Sequence, residues 1–192
     1  MSTISDAEYE KHLAGVVAEG FALNPSGFER LILWNHLLLN CVSASESFRR
    51  LQLREVRLGK FDDVVDAQAL FVAGIMAYGR CFSQSGPGIP TLDPKQVYKG
   101  SDDGMRVHRR MIELRNTVAA HSDVSELARF TLAVREEEDR LVIRHLATTA
   151  MPINDLHDFR EAVEHTAHFV TISINKLLDH LSKKLGKRIV LD

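Results

Sequence analysis

The chain has 192 residues, is 45% hydrophobic and 26% charged, and carries a formal net charge of -2. That composition suits one folded domain spanning 1–192 with a core of its own and argues against a disordered chain; the near-neutral balance leaves any nucleic-acid binding to local patches. No basic segment followed by an apolar run opens the chain, and its apolar stretches are broken by Asn35, His36 and Asn40 or by Asp66 and Gln68, so a cytoplasmic protein with no signal peptide and no membrane span is expected.

Ser5-Asp6-Ala7-Glu8 reads as a capping box opening a short amphipathic helix that ends near Gly20. After the break at Asn24-Pro25-Ser26-Gly27, a long helix is predicted over 28–58, its middle apolar around most of its circumference. The next helix is predicted over 61–82, with Phe61, Val64, Val65, Phe71, Val72, Ile75 and Phe82 on its buried face and Gly74 and Gly79 marking close packing. Cys41 and Cys81 fall inside these helices without metal-ligand spacing, which favours reduced thiols. Residues 83–103 hold Gly86-Pro87-Gly88, Pro90 and Pro94 and read as a long irregular loop, a functional or mobile segment rather than a plain connector.

A further helix starts near Asp102 or Asp103, with Val107, Met111, Leu114 and Val118 as its apolar stripe. The neighbouring stripe is His108, Ile112, Arg115 and Ala119, which puts Arg115 at the edge of the buried face. The period then alternates through Phe130, Leu132 and Val134, and again through Leu141 and Ile143, predicting a small hairpin over 126–147. Pro152 opens a last helix running to 185. The expected architecture is all-α: a four-helix bundle with an extra N-terminal helix and a small β-hairpin before the last helix.

The densest chemistry lies in Arg115-Asn116-Thr117-Val118-Ala119-Ala120-His121. An arginine can clamp a phosphate, and a histidine is the side chain best suited to move protons near neutral pH. Six residues turn an ideal helix through about 600°, so Arg115 and His121 converge only if the helix ends near Ala120. The plain alternative is that Arg115 makes an ion pair and His121 caps the helix terminus. Arg106, His108, Arg109 and Arg110 crowd the same helix and form a candidate phosphate-binding patch, with Arg80 as a possible addition. Arg49, Arg50, Arg54, Arg57 and Lys60 make a second basic run, broken by Glu55; either run could equally be a solvated face making local ion pairs. On the last helix His157, Glu161, His165 and His168 share one face, a weak alternative metal set; a polar, histidine-rich outer face is the simpler reading, and no resident metal or other cofactor is expected.

The run Glu113-Leu114-Arg115-Asn116 through Ala120-His121-Ser122-Asp123 resembles the signature of the HEPN superfamily, the higher eukaryotes and prokaryotes nucleotide-binding domains, and in particular its bacterial abortive-infection branch. Ala77-Tyr78-Gly79-Arg80-Cys81-Phe82-Ser83 resembles a second block of uncharacterised bacterial relatives. The resemblance covers about 28–185, and the hairpin is not part of the minimal family bundle. It implies a homodimer with two motif helices facing one another, metal-independent RNA cleavage in active members, Arg115, Asn116 and His121 as the catalytic set, and a toxin or defence effector with a cognate antitoxin or inhibitor protein. It leaves a second expectation beside the nuclease, a non-catalytic dimer that binds a nucleotide or partner protein.

Overall fold

The computed structural model describes residues 5–57, 60–84, 88–120 and 128–190. Its helices are α1 (Asp6–Ala18), α2 (Glu29–Gln52), α3 (Phe61–Cys81), α4 (Pro94–Val97), α5 (Asp102–Ala120) and α6 (Leu156–Leu185); the strands β1 (Ala128–Glu136) and β2 (Leu141–Thr149) lie between α5 and α6. The four long helices form a ring in which α2 packs against α3 and α6, and α5 packs against the same two. The predicted helical bundle with an N-terminal helix and a hairpin before the last helix is therefore the observed architecture.

The core follows from the apolar stripes. Phe48 of α2, Phe71 of α3 and Phe159 of α6 meet with ring centroids 5.9–6.5 Å apart. Gly74 makes room for them: a Cβ there would sit 2.5 Å from the Phe48 ring, so only a bare Cα fits. By length and composition α3 could cross a membrane, but Val64, Ala67, Phe71, Ile75 and Tyr78 are buried against the other helices, as in the central helix of a bundle. Its exposed side departs from expectation, since Phe61 and Val65 lie outside the core. The buried thiols of Cys41 and Cys81 are unbonded and 3.8 Å apart, and tie α2 to α3.

α1 keeps its capping box, with the Glu8 amide donating to Ser5 Oγ and the Ser5 amide donating to Glu8 Oε2, yet buries none of its residues. α2 stops at Gln52, short of the predicted 58, because the chain turns to satisfy the start of α3: the backbone N–H and guanidinium of Arg57 both donate to the Asp63 carboxylate. The segment predicted as an irregular loop over 83–103 is anchored in its second half. The Leu92 amide donates to the Cys81 carbonyl, α4 forms at Pro94 with Asp93 as its cap, and Leu92, Val97 and Tyr98 are buried. The correction has a physical cause: three apolar side chains spaced through the segment find the core, which the Pro- and Gly-rich composition concealed.

The hairpin pairs Ala128 with Thr149 through to Glu136 with Leu141 without a bulge and runs two residues past the predicted end at 147; positions 126 and 127 lie outside the described residues. Phe130, Leu132, Val134, Leu141 and Ile143 share one face, as the alternation required. Only its base is covered, where Phe61 meets Phe130 and His145; these five apolar side chains stay more than half exposed.

Candidate active site

α5 carries the candidate site. Ser101 starts it by accepting the Gly104 amide on its hydroxyl, Asp102 and Asp103 lie in its first turn, and Val107, Met111 and Leu114 press its apolar stripe into the core. That packing fixes the rotation of the helix, and with it where the polar side chains point.

Arg115 is half-buried at the edge of this stripe, as its spacing indicated. Its aliphatic stem crosses α3 at Gly79, its Nη1 donates to Asn116 Oδ1 at 3.1 Å, and its Nε is buried with no acceptor among the described residues. Two segments of the motif reading, one around Gly79 and one around Arg115, thus meet in space. His121, the predicted proton carrier, lies outside the described residues, as do Ser122 and Asp123. The helix is described to Ala120.

Arg106, Arg109 and Arg110 are exposed on α5. Arg106 pairs with Asp103 at 3.4 Å and Arg110 with Glu113 at 3.0 Å, both in water, where such pairs contribute little and yield readily to a stronger anion. Arg80 is exposed in the last turn of α3, next to Gly79. The second basic run is locally neutralised: Arg49 and Arg50 share Glu46, Arg54 pairs with Asp66 and Arg57 with Asp63.

His108 corrects the predicted patch. It is buried, not displayed beside the arginines. Its Nδ1 lies 2.7 Å from the Tyr78 hydroxyl, which lies 2.9 Å from the Tyr98 hydroxyl, which in turn hydrogen-bonds Thr166 Oγ1 and donates to the Ala162 carbonyl. The ring also packs against Phe82, with centroids 4.5 Å apart. Burial, with a smaller push from the Arg109 charge, lowers the His108 pKa to about 4, so the imidazole is neutral at pH 7 and adds no charge for a phosphate. Burial likewise drives the Tyr78 and Tyr98 hydroxyls above their ordinary range, keeping them protonated. The i,i+7 relation to Arg115 was readable in the sequence; the three aromatic partners, brought from α3 and the segment around α4, were not.

The histidines of α6 do not converge. His157 contacts Glu161 at 3.3 Å, whereas His165, also exposed, donates Nε2–H to the Val97 carbonyl at 2.8 Å and stacks on Tyr98. His168 is exposed farther along the helix, and no three His, Cys, Asp or Glu side chains among the described residues gather as a metal site. The alternative metal set of His157, Glu161, His165 and His168 therefore lacks a common centre. A cleft of about 360 Å³ between the start of α5 and α6 is lined in part by Tyr98, Asp103, Arg106, Asp158, Glu161 and His165. The sequence reading missed it because its walls come from segments some 55 residues apart.

No family model matches the chain, and neither the curated proteins nor the solved structures searched return a match.

Proposed function

We propose that the protein is a metal-independent endoribonuclease of HEPN type, acting as a homodimer, with Arg115, Asn116 and His121 as its catalytic set. One observation carries the reading: the Arg115 guanidinium is held on α5 by Gly79 beneath its stem and Asn116 beside its Nη1, six residues before His121 in the sequence. RNA brings its own nucleophile. His121 removes the proton of a 2′-hydroxyl, the 2′-oxygen attacks the adjacent phosphorus, and the bond to the 5′-oxygen breaks, leaving a 2′,3′-cyclic phosphate and a 5′-hydroxyl. Protonation of the departing oxygen needs an acid, which the second His121 of a dimer supplies. Arg115 stabilises the charge that builds on the non-bridging oxygens, and Arg106, Arg109 and Arg110 hold the flanking backbone. The proposed cellular role is a toxin or defence effector controlled by an antitoxin or inhibitor protein, in the cytoplasm.

The hairpin supports a second reading, a bundle that binds a nucleotide or partner protein without turnover. Five apolar side chains exposed on one face of a ribbon of two nine-residue strands form a surface of the kind that marks association.

The deciding experiment incubates wild type, His121→Ala and Arg115→Ala with labelled structured RNA in excess EDTA. Cleavage by the wild type alone, with cyclic phosphate ends, is the expected result. Equal silence from all three across several RNAs would overturn the nuclease in favour of the binding module.

A further inference from the structure

Glycine inside a helix weakens it relative to alanine, so a glycine that persists there must be offset by something its bare Cα allows. For Gly79 that something is Arg115. A Cβ at this position would lie 2.9 Å from Arg115 Cγ, 3.3 Å from Cδ and 3.4 Å from Nε, its three nearest neighbours. A real Cβ essentially never comes as close as the first of these, and Cγ is the near end of the side chain, so the arginine stem would have to shift. Among the described helical glycines, Gly74 faces the Phe48 ring, Gly104 faces Tyr98 and Ser101, and Gly15 faces nothing. Only Gly79 meets a charged chain.

Three contacts together define where the guanidinium goes. The stem lies flat on Gly79, Nη1 is engaged by Asn116, and Nε is buried with no acceptor among the described residues, which leaves the Nη donors as those a ligand would meet. α5 cannot roll to relieve the contact. One residue before Gly79, Tyr78 holds His108 of the same α5 stripe by a buried 2.7 Å hydrogen bond.

We infer that Gly79 is a positioning residue, whose missing side chain seats Arg115 so that its guanidinium edge presents to the RNA phosphate. This rests on the reading of Arg115 as the phosphate-stabilising group of a nuclease. Glycine here is a requirement of the site and not of the bundle, because the added methyl of alanine would strike only the arginine among its closest neighbours.

The test compares wild type, Gly79→Ala, Arg115→Ala, the Gly79→Ala/Arg115→Ala double variant and Gly74→Ala. RNA cleavage, thermal midpoints and the arginine Nε–H resonances in NMR are measured for each. A displacement of the guanidinium by about an ångström is expected to lower kcat about 10²-fold in Gly79→Ala with KM changed only a few-fold. The Arg115 Nε–H, slow to exchange in the wild type, should shift and exchange faster. Gly74→Ala, which strikes the Phe48 ring, should lose stability while each folded molecule cleaves normally. Adding Gly79→Ala to Arg115→Ala should leave the residual rate unchanged and keep or slightly raise the midpoint, alanine being the better helix former. Wild-type cleavage and an unmoved Nε–H in Gly79→Ala would overturn the inference, as would equal destabilisation in both backgrounds. Should Gly79→Ala alone fail to fold, a folded double variant supports the seat and an unfolded one refutes it. If the wild type cleaves no RNA, the nuclease reading fails by itself, and the resonance and the midpoints still decide whether Gly79 seats Arg115.

Discussion

The two halves of α5 treat their polar side chains in opposite ways. Around His108 a buried cluster is hydrogen-bonded: its Nδ1 joins a chain through Tyr78, Tyr98 and Thr166 that links three further elements. Around Arg115, seven residues on, the guanidinium is pinned at its stem and at one nitrogen but its buried Nε has no acceptor among the described residues. A satisfied network makes the helix rigid and specifies its rotation. An orphaned donor is a cost that a structure retains where another demand overrides it. Stability belongs to the first half of the helix, and the proposed chemistry to the second.

Removing Arg115 breaks the comparison at its reactive end. Arg115→Ala is expected to lower kcat by about 10²–10³-fold, the scale of losing a charge-stabilising donor, while stability changes by no more than about 1 kcal/mol. Steady-state kinetics beside urea unfolding checks both halves of the statement.

Acid attacks the stable end. His108 is neutral in the folded chain down to about pH 4 but takes a proton near pH 6.5 once unfolded. Between those values the unfolded state binds more protons, so stability falls as the pH drops from about 6.5 towards 4, by up to roughly 3 kcal/mol, and is unaffected by this group above pH 7. His108→Asn should flatten that part of the profile, as read from urea midpoints at successive pH values.

Tyr78→Phe removes the hydroxyl that joins His108 to Tyr98. Leaving buried partners unsatisfied should cost about 1–3 kcal/mol in a denaturant titration, with kcat per folded molecule largely kept. A large loss of kcat at unchanged stability would instead move the chemistry towards the buried cluster.

The smallest effects belong to the outer arginines. Arg106→Ala and Arg110→Ala break exposed pairs and should shift stability by less than about 0.5 kcal/mol. Each should weaken RNA binding across sequences and reduce the salt slope by about one, measured by titration at several ionic strengths.

Local pattern was enough to read much of this protein. The capping box at Ser5, the stripes of α5 and α6, the alternation in β1 and β2, and Arg115 at the edge of a buried face all follow from side-chain periodicity, which depends on backbone geometry alone. What periodicity could not supply was the partner across each face. Whether an apolar strand face is covered depends on what packs over it, and the hairpin face is mostly bare. Whether His108 stands as a cation or a neutral core residue depends on Tyr78 and Tyr98, which lie 30 and 10 residues away. The end of α2 was decided by Asp63 drawing back Arg57, and the order of the segment after α3 by Leu92, Val97 and Tyr98 reaching the core. The seat of Arg115 is of the same kind: the sequence displays an arginine and a glycine 36 positions apart, and only the crossing of α3 and α5 puts one against the other.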